Sequence, residues 1–261
     1  MKVEILGNQA PFCLNGQKGV GYLVKSGGDN IMLDAGSGTH ASLNVKDYEN
    51  LNLIISHGHY DHVADIENVL YGALTLKNNE IIKPKLSIWL PAEYRDPLEK
   101  KTLVAHLKTT DVARIERYGA NDTIEFEGGA VVNFRKTTHS PDSYATKITE
   151  PACATKKADM GRKIILGYTG DIGTNDIRGL AGFYRDATAI IAECSVPQHK
   201  DNPYKHMQPR DCAFLKEITR AKDMYLTHFF PTEPAGNYLA DCQKYADNVH
   251  IAHEGLEFEM R

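Results

Sequence analysis

The sequence lacks paired cysteines and long apolar runs, and these two absences exclude several classes of protein. Its five cysteines are scattered and include no C-x-x-C pair, so neither a disulfide framework nor a thiolate zinc site is expected. No stretch approaches the roughly 20 apolar residues of a membrane-spanning helix. Residues 1–7 also lack the apolar core of a signal peptide. We therefore expect a protein of the reducing cytoplasm that does not associate with a membrane.

An excess of positive charge is also missing. The formal net charge is -4 and the sequence pI is about 6.3, whereas domains that bind polyanions are usually basic. Extended nucleic acid is therefore a disfavoured partner, although a small phosphate ester held by metal ions stays compatible with this charge. The composition, 42% hydrophobic and 25% charged over 261 residues, is typical of a globular protein. We expect one domain spanning residues 1–261.

What the sequence does contain is a dense group of metal-binding residue types at positions 57–62, His-Gly-His-Tyr-Asp-His. The group follows the apolar run 51–55, which predicts a turn directly after a buried strand. Neutral imidazole is the commonest protein ligand for zinc and similar cations. Because three of only eleven histidines fall within six residues, we interpret the group as a metal site rather than a solvated turn.

Further polar side chains follow apolar, strand-like runs elsewhere in the chain. Loops at strand ends are where rigid scaffolds display functional groups, so these positions are candidates for the same site. Four of them directly follow or end such a run, and the fifth lies in the loop beyond residue 195: His139, Asp171, Glu193, His228 and His206.

Strand patterns dominate both halves of the chain, and helical patterns are few. Gly27-Gly28-Asp29-Asn30 predicts a tight hairpin turn. Helical apolar spacing follows His62 and recurs over residues 92–107, 209–221 and 234–246, while residues 149–162 read as a long polar hairpin loop. Two strand-rich halves with a few helices predict an α+β protein in which two sheets pack face to face with helices outside.

In this order, the residues resemble the metallo-β-lactamase superfamily over nearly the whole chain. Residues 33–36, Leu-Asp-Ala-Gly, are similar to that family's early Asp-containing turn, and residues 57–62 match its main motif. Asp171 and His228 match its later motifs. The resemblance implies an αββα sandwich of two mixed sheets, with metal ions at one edge between the sheets.

The resemblance also implies a site for two divalent ions and a bridging water. The histidine and aspartate ligands of this implied site suit zinc, with manganese or iron as alternatives. Two ions about 3.5–4 Å apart would activate the water for in-line attack at phosphorus. The implied ligands are His57, His59 and His139 for one ion, Asp61, His62 and His228 for the second, and Asp171 as the bridge.

Three features favour the phosphodiesterase branch of the superfamily, near ribonuclease Z. Asp171 stands where β-lactamases of this fold mostly carry cysteine, and residues 137–144 depart from the glyoxalase II pattern. The order Glu193, His206, His228 resembles the C-terminal motifs of ribonuclease Z. The resemblance makes His206 the candidate general acid for the leaving oxygen, with Glu193 orienting it. The candidate catalytic residues are therefore Asp61, His206 and Glu193.

Ribonuclease Z itself fits less well, because only the loop at 149–162 stands where that family commonly inserts a long tRNA-gripping arm. Tyr60 also replaces the glycine usual in its main motif. We predict hydrolysis of a small phosphodiester, a cyclic nucleotide or short oligonucleotide, by a metal-bridging hydroxide. The alternatives are an acyl hydrolase (lactonase, thioesterase or β-lactamase), a tRNA-processing nuclease and, remotely, a non-catalytic metal-binding module. A homodimer is left open.

Overall fold

The computed structural model describes residues 1–94, 112–150, 163–203 and 206–261. Its strands are β1 (Lys2–Gly7), β2 (Gly21–Ser26), β3 (Asp29–Leu33), β4 (Leu51–Ile54), β5 (Leu86–Pro91), β6 (Ala113–Tyr118), β7 (Thr123–Glu125), β8 (Val131–Thr137), β9 (Ser143–Glu150), β10 (Ile164–Tyr168), β11 (Ala189–Glu193), β12 (Asp223–Thr227), β13 (Val249–Ile251) and β14 (Glu257–Glu259). Its α-helices are α1 (Tyr60–Val63), α2 (Ile66–Asn78), α3 (Leu180–Phe183), α4 (Pro209–Thr219) and α5 (Ala235–Cys242). Short 3₁₀ helices span Thr39–Ser42, Val45–Asn50 and Thr174–Gly179.

The strands form two mixed sheets built on the same plan. The first sheet has the order β14-β1-β2-β3-β4-β5-β6, and the second has the order β13-β12-β11-β10-β9-β8-β7. In each sheet an antiparallel part, β1 to β3 or β7 to β10, leads into parallel strands, β3 to β6 or β10 to β13. The predicted α+β class with two mixed sheets is confirmed.

Three apolar clusters hold the layers together. The central cluster joins inward side chains of both sheets, including Tyr22 and Val132. The second cluster packs α4 and α5 on the outer face of the second sheet, and the third packs α2 on the outer face of the first. This arrangement is the αββα sandwich that the sequence predicted.

The parallel strands explain where the functional loops lie. Every residue of β4 and β11 is buried, as expected for parallel strands covered on both faces. In the first sheet the carboxyl end of β4 points the same way as that of β3, and in the second sheet that of β11 points the same way as those of β10 and β12, because neighbouring strands are parallel. Polar residues that follow these strands therefore gather at one edge of each sheet.

The structure also departs from the sequence-based expectations. Strand β6, with the sequence ARIERY, was not anticipated, and β9 runs to Glu150, which shortens the loop expected over 149–162. The rest of that loop, and the helix expected over 92–107 beyond Tyr94, lie outside the described residues. Strand β14 returns to the first sheet and pairs with β1. Across the described ranges, the helices are too short or too polar to cross a bilayer.

Candidate metal centre

All seven predicted metal ligands lie together at the edge where the two sheets meet. Their ligand atoms form two groups, and within each group the atoms lie within 4.8 Å of one another. Contributions come from loops of both sheets, so the centre exists only when the sheets are packed together. The first group is His57, His59, His139 and Asp171, and the second is Asp61, His62 and His228.

Asp171 presents one carboxylate oxygen to each group. Its Oδ2 lies 3.6 Å from Nε2 of both His57 and His139. Its Oδ1 lies 3.3 Å from His62 Nε2 and 3.0 Å from His228 Nε2. This position between the groups is the one that the predicted bridging role requires.

The buried polar atoms of the centre fit a bound cation. Among the described residues, His57 Nε2 and Asp171 Oδ1 are buried but have no hydrogen-bond partner of acceptable geometry. Buried polar groups without partners are costly, and a cation in each group would satisfy them, the first at His57 Nε2 and the second at Asp171 Oδ1. The donor set of five imidazoles and two carboxylates is one that zinc accepts.

The imidazoles of the first group are held in their neutral form. Burial lowers the pKa of His57 well below its usual value, and the other histidines add to this effect. Burial likewise lowers the pKa of His59, and it lowers that of His139 to about 4. A neutral imidazole is the form that binds metal, so these three side chains are ready as ligands near pH 7.

The second group has the opposite electrostatics. Burial opposes charge on His228, but the carboxylates of Asp171 and Asp61 outweigh it and raise its pKa to about 10. Burial also opposes charge on His62, where Asp171 and Asp34 raise the pKa well above its usual value. Burial opposes charge on Asp171 too, yet the neighbouring imidazoles hold its pKa well below the usual range. A dication at this position would replace the protons on these two histidines.

A buried carboxylate fixes the two histidines nearest the first sheet. Asp34, which is fully buried with a φ of 57°, lies with Oδ2 2.7 Å from His62 Nδ1. The Ser56 hydroxyl donates to the same oxygen at 2.8 Å and lies 3.1 Å from His57 Nδ1. The Tyr168 hydroxyl also donates to it. The sequence singled out Asp34 only as part of a motif, and these hydrogen bonds explain its place there.

The predicted acid and its partner meet beside both groups. Nδ1 of His206 lies 3.0 Å from each carboxylate oxygen of Glu193, which is fully buried and also accepts the Ile172 N–H at 2.9 Å. Burial lowers the pKa of His206, but the charge of Glu193 outweighs this and leaves the pKa above its usual value. The His206 ring centroid lies 5.1 Å from that of His139 and 5.9 Å from that of His228.

Exposed aromatic side chains lie close in sequence to two of the predicted ligands. Tyr60, between two predicted ligands, is 76% exposed. Phe230, two residues after His228, packs edge-to-face against Phe12 at 5.8 Å between centroids. Phe12 was not predicted from the sequence, because no local pattern joins it to the loop after β12. A cavity of about 300 Å³ opens beside Phe230, lined by Asn8, Gln9, Gln17, Phe229, Phe230, Pro231, Thr232, Glu233, Pro234 and Ala235.

Comparisons with known proteins agree with this architecture. The family model described as "Anti-Pycsar protein Apyc1" matches residues 1–250. The probable metallo-hydrolase YhfI of Bacillus subtilis (strain 168) is 26% identical over 267 residues, which cover 99% of this chain and 100% of that protein. Ribonuclease Z of Clostridioides difficile (strain 630) is 25% identical over 278 residues, covering 89% and 90%. The crystal structure of YhfI, described as a metallo-β-lactamase fold protein, superposes with a TM-score of 0.81 at 22% identity and covers 98% of each chain. The chain therefore has the metallo-β-lactamase fold.

Proposed function

The chain belongs to the anti-Pycsar protein Apyc1 family, and from this premise we propose that it is a metal-dependent hydrolase of small phosphodiesters, such as a cyclic nucleotide or short oligonucleotide. The observation that carries the proposal is the position of His206. A partly buried imidazole, backed by the carboxylate of Glu193, lies against both groups of candidate ligands. That is where a proton donor to a leaving oxygen is needed.

In this proposal the seven clustered side chains would hold two divalent ions, zinc first among them, and Asp171 would contribute one carboxylate oxygen to each group. When bound, such ions neutralise charge on the phosphate and make water nucleophilic at neutral pH. The protein supplies the three neutral imidazoles of the first group and the carboxylates of Asp61 and Asp171. Asp34 orients His62 directly, which keeps the Nε2 atom of that ring turned toward the site.

The role of His206 follows from the leaving group. An alkoxide is a poor leaving group, so its oxygen must receive a proton as the phosphorus–oxygen bond breaks. His206 places Nδ1 against Glu193, which leaves Nε2 as the nitrogen that can donate this proton. The negative charge of Glu193 favours the protonated ring before the reaction. Glu193 therefore acts through His206 in this scheme.

A cavity lined by the loop after His228 supports a small, base-containing substrate. The cavity beside Phe230, about 300 Å³, is at the lower end of the range for small-molecule sites. Its aromatic and amide side chains suit stacking and hydrogen bonding to a nucleobase. Ribonuclease Z, a relative at 25% identity, is by its name an enzyme that cleaves RNA, which supports phosphodiester chemistry.

The test is hydrolysis by protein stripped with a chelator and reloaded with Zn²⁺ or Mn²⁺. The substrates are bis(p-nitrophenyl) phosphate, 3′,5′-cyclic mononucleotides and dinucleotides, beside nitrocefin, a thioester and a lactone. We expect metal-dependent phosphodiester turnover that Asp171→Ala abolishes. The matched control His250→Ala alters a partly exposed histidine bonded to Asp223, and it should leave turnover unchanged. Preference for an acyl substrate, or a metal-loaded protein inert on every ester, would contradict the proposal.

A further inference from the structure

We propose that Ser195 is a positioning residue that holds the His228 ring with its Nε2 atom toward the second metal ion. The Ser195 hydroxyl links this ring to the buried carboxylate of Glu193. The inference rests on the proposed function, because it takes His228 as a ligand. Ser195 was not among the candidates from the sequence.

Close contacts place Ser195 between these two side chains. Its Oγ lies 2.7 Å from His228 Nδ1, and its hydroxyl donates to Glu193 Oε2. Glu193 cannot move away easily, because it is fully buried and its other oxygen accepts the Ile172 N–H. The serine is thus tied to a fixed point of the second sheet.

A count of protons then gives the orientation and tautomer of the His228 ring. A carboxylate can only accept hydrogen bonds, so the single hydroxyl proton of Ser195 goes to Glu193. Oγ must therefore accept the proton on Nδ1 of His228. When a metal is bound, Nε2 carries the lone pair, and this is the atom 3.0 Å from Asp171 Oδ1 and 3.4 Å from Asp61 Oδ2. The ring is held with its ligand atom facing the centre.

The backbone explains why His228 needs such a partner. Its φ is 64°, a left-handed conformation that residues other than glycine seldom adopt and that the surroundings must maintain. Strands β11 and β12 pair Glu193 with Thr227, and the Cys194 N–H donates to the Thr227 carbonyl at 2.9 Å. This register brings Ser195 beside His228.

The first half of the molecule contains the same arrangement. Ser56 donates to Asp34 and lies 3.1 Å from His57 Nδ1, while Asp34 bonds His62 directly. In each half, one buried carboxylate thus contacts one imidazole directly and a second through a serine. In the second half the direct partner is the proposed acid, His206, so Glu193 connects the acid with a metal ligand.

The experiment measures zinc affinity rather than turnover, by competition between metal-free protein and a chromophoric chelator. The variants are Ser195→Ala, Ser195→Thr and Ser195→Val. Threonine and valine have nearly the same shape, but only threonine keeps the hydroxyl. We expect Ser195→Ala and Ser195→Val to lower the affinity for one of the two ions by about 10- to 100-fold, as is typical when a metal ligand loses its hydrogen-bond partner. Thr should stay within about threefold of the unaltered protein.

Controls separate this inference from the metal assignment. His228→Ala should lose the same ion, and retention of both ions in that variant would contradict the metal assignment itself. With His228→Ala behaving as expected, unchanged affinity in Ser195→Ala, or equal losses in Thr and Val, would overturn the positioning role. A circular-dichroism melt shows whether each variant folds. If Ser195→Ala does not fold, the comparison of Ser195→Thr with Ser195→Val tests the positioning role. If that pair does not fold, Ser195→Ala tests it. Combining Ser195→Ala with Glu193→Gln should cost little more affinity than either change alone.

Discussion

Zinc binding to the metal-free protein should release more than one proton at pH 8. The pKa of His228 is about 10, so about 99% of its imidazole is charged at this pH, and the pKa of His62 is also raised well above its usual value. Each ring must lose its Nε2 proton to bind metal. The first group should release almost no protons, because burial keeps its three imidazoles neutral before the metal binds. Five imidazoles with an ordinary pKa of about 6.5 would together release only about 0.15 proton.

Isothermal titration calorimetry in buffers of different ionisation enthalpy measures this number directly. We expect more than one proton from the histidines, and an activated water molecule can supply about one more. The apparent affinity of the second ion should also fall by more than tenfold for each pH unit below 8, because more than one proton competes with it. His250→Ala should give the same count as the unaltered protein. A release of one proton or fewer would refute the electrostatic picture of the second group.

Three further predictions concern catalysis and packing. His206→Ala should lower kcat on a cyclic nucleotide by about 10²- to 10⁴-fold, yet change it little on bis(p-nitrophenyl) phosphate, whose p-nitrophenolate leaves without a proton; the exposed His199→Ala is its control. Gly36→Ala would place a Cβ 2.4 Å from the nearest backbone oxygen, so a thermal melt should show a loss of about 1–3 kcal/mol, whereas Gly182→Ala meets nothing within 4 Å and should melt normally. Phe230→Ala should raise KM for nucleotides about 5- to 100-fold through lost stacking, and leave KM for bis(p-nitrophenyl) phosphate nearly unchanged.

The parts of the site that the sequence predicted are those with a strong local pattern. His57, His59, Asp61 and His62 fall in one short turn, so their proximity follows from their spacing alone. Asp171 and His228 are harder, because each is a single polar residue after an apolar run. Their position became predictable only through the order of motifs in the family resemblance. The structure brings them together because parallel strands end at the same edge.

The parts that the sequence did not predict depend on distant pairings. Ser195 lies 2.7 Å from a ring that is 33 residues away, and no periodicity records that contact. Strand β6 mixes three charged residues with apolar ones at the edge of its sheet. Charges there discourage further strand pairing, and they make the segment resemble an exposed loop in sequence. Pairing of β14 with β1 joins the two ends of the described chain, a contact that local propensity cannot indicate.

Because the ligands come from both sheets, metal binding would affect degradation of the protein. The proposed ions would bind side chains as far apart in the sequence as His57 and His228, and the unfolded chain offers no such site. Free zinc at about 1,000 times the dissociation constant would then add about 4 kcal/mol to the free energy of unfolding. The supply of zinc would then set the resistance of the protein to proteases as well as its activity, and zinc depletion would lower the amount of protein.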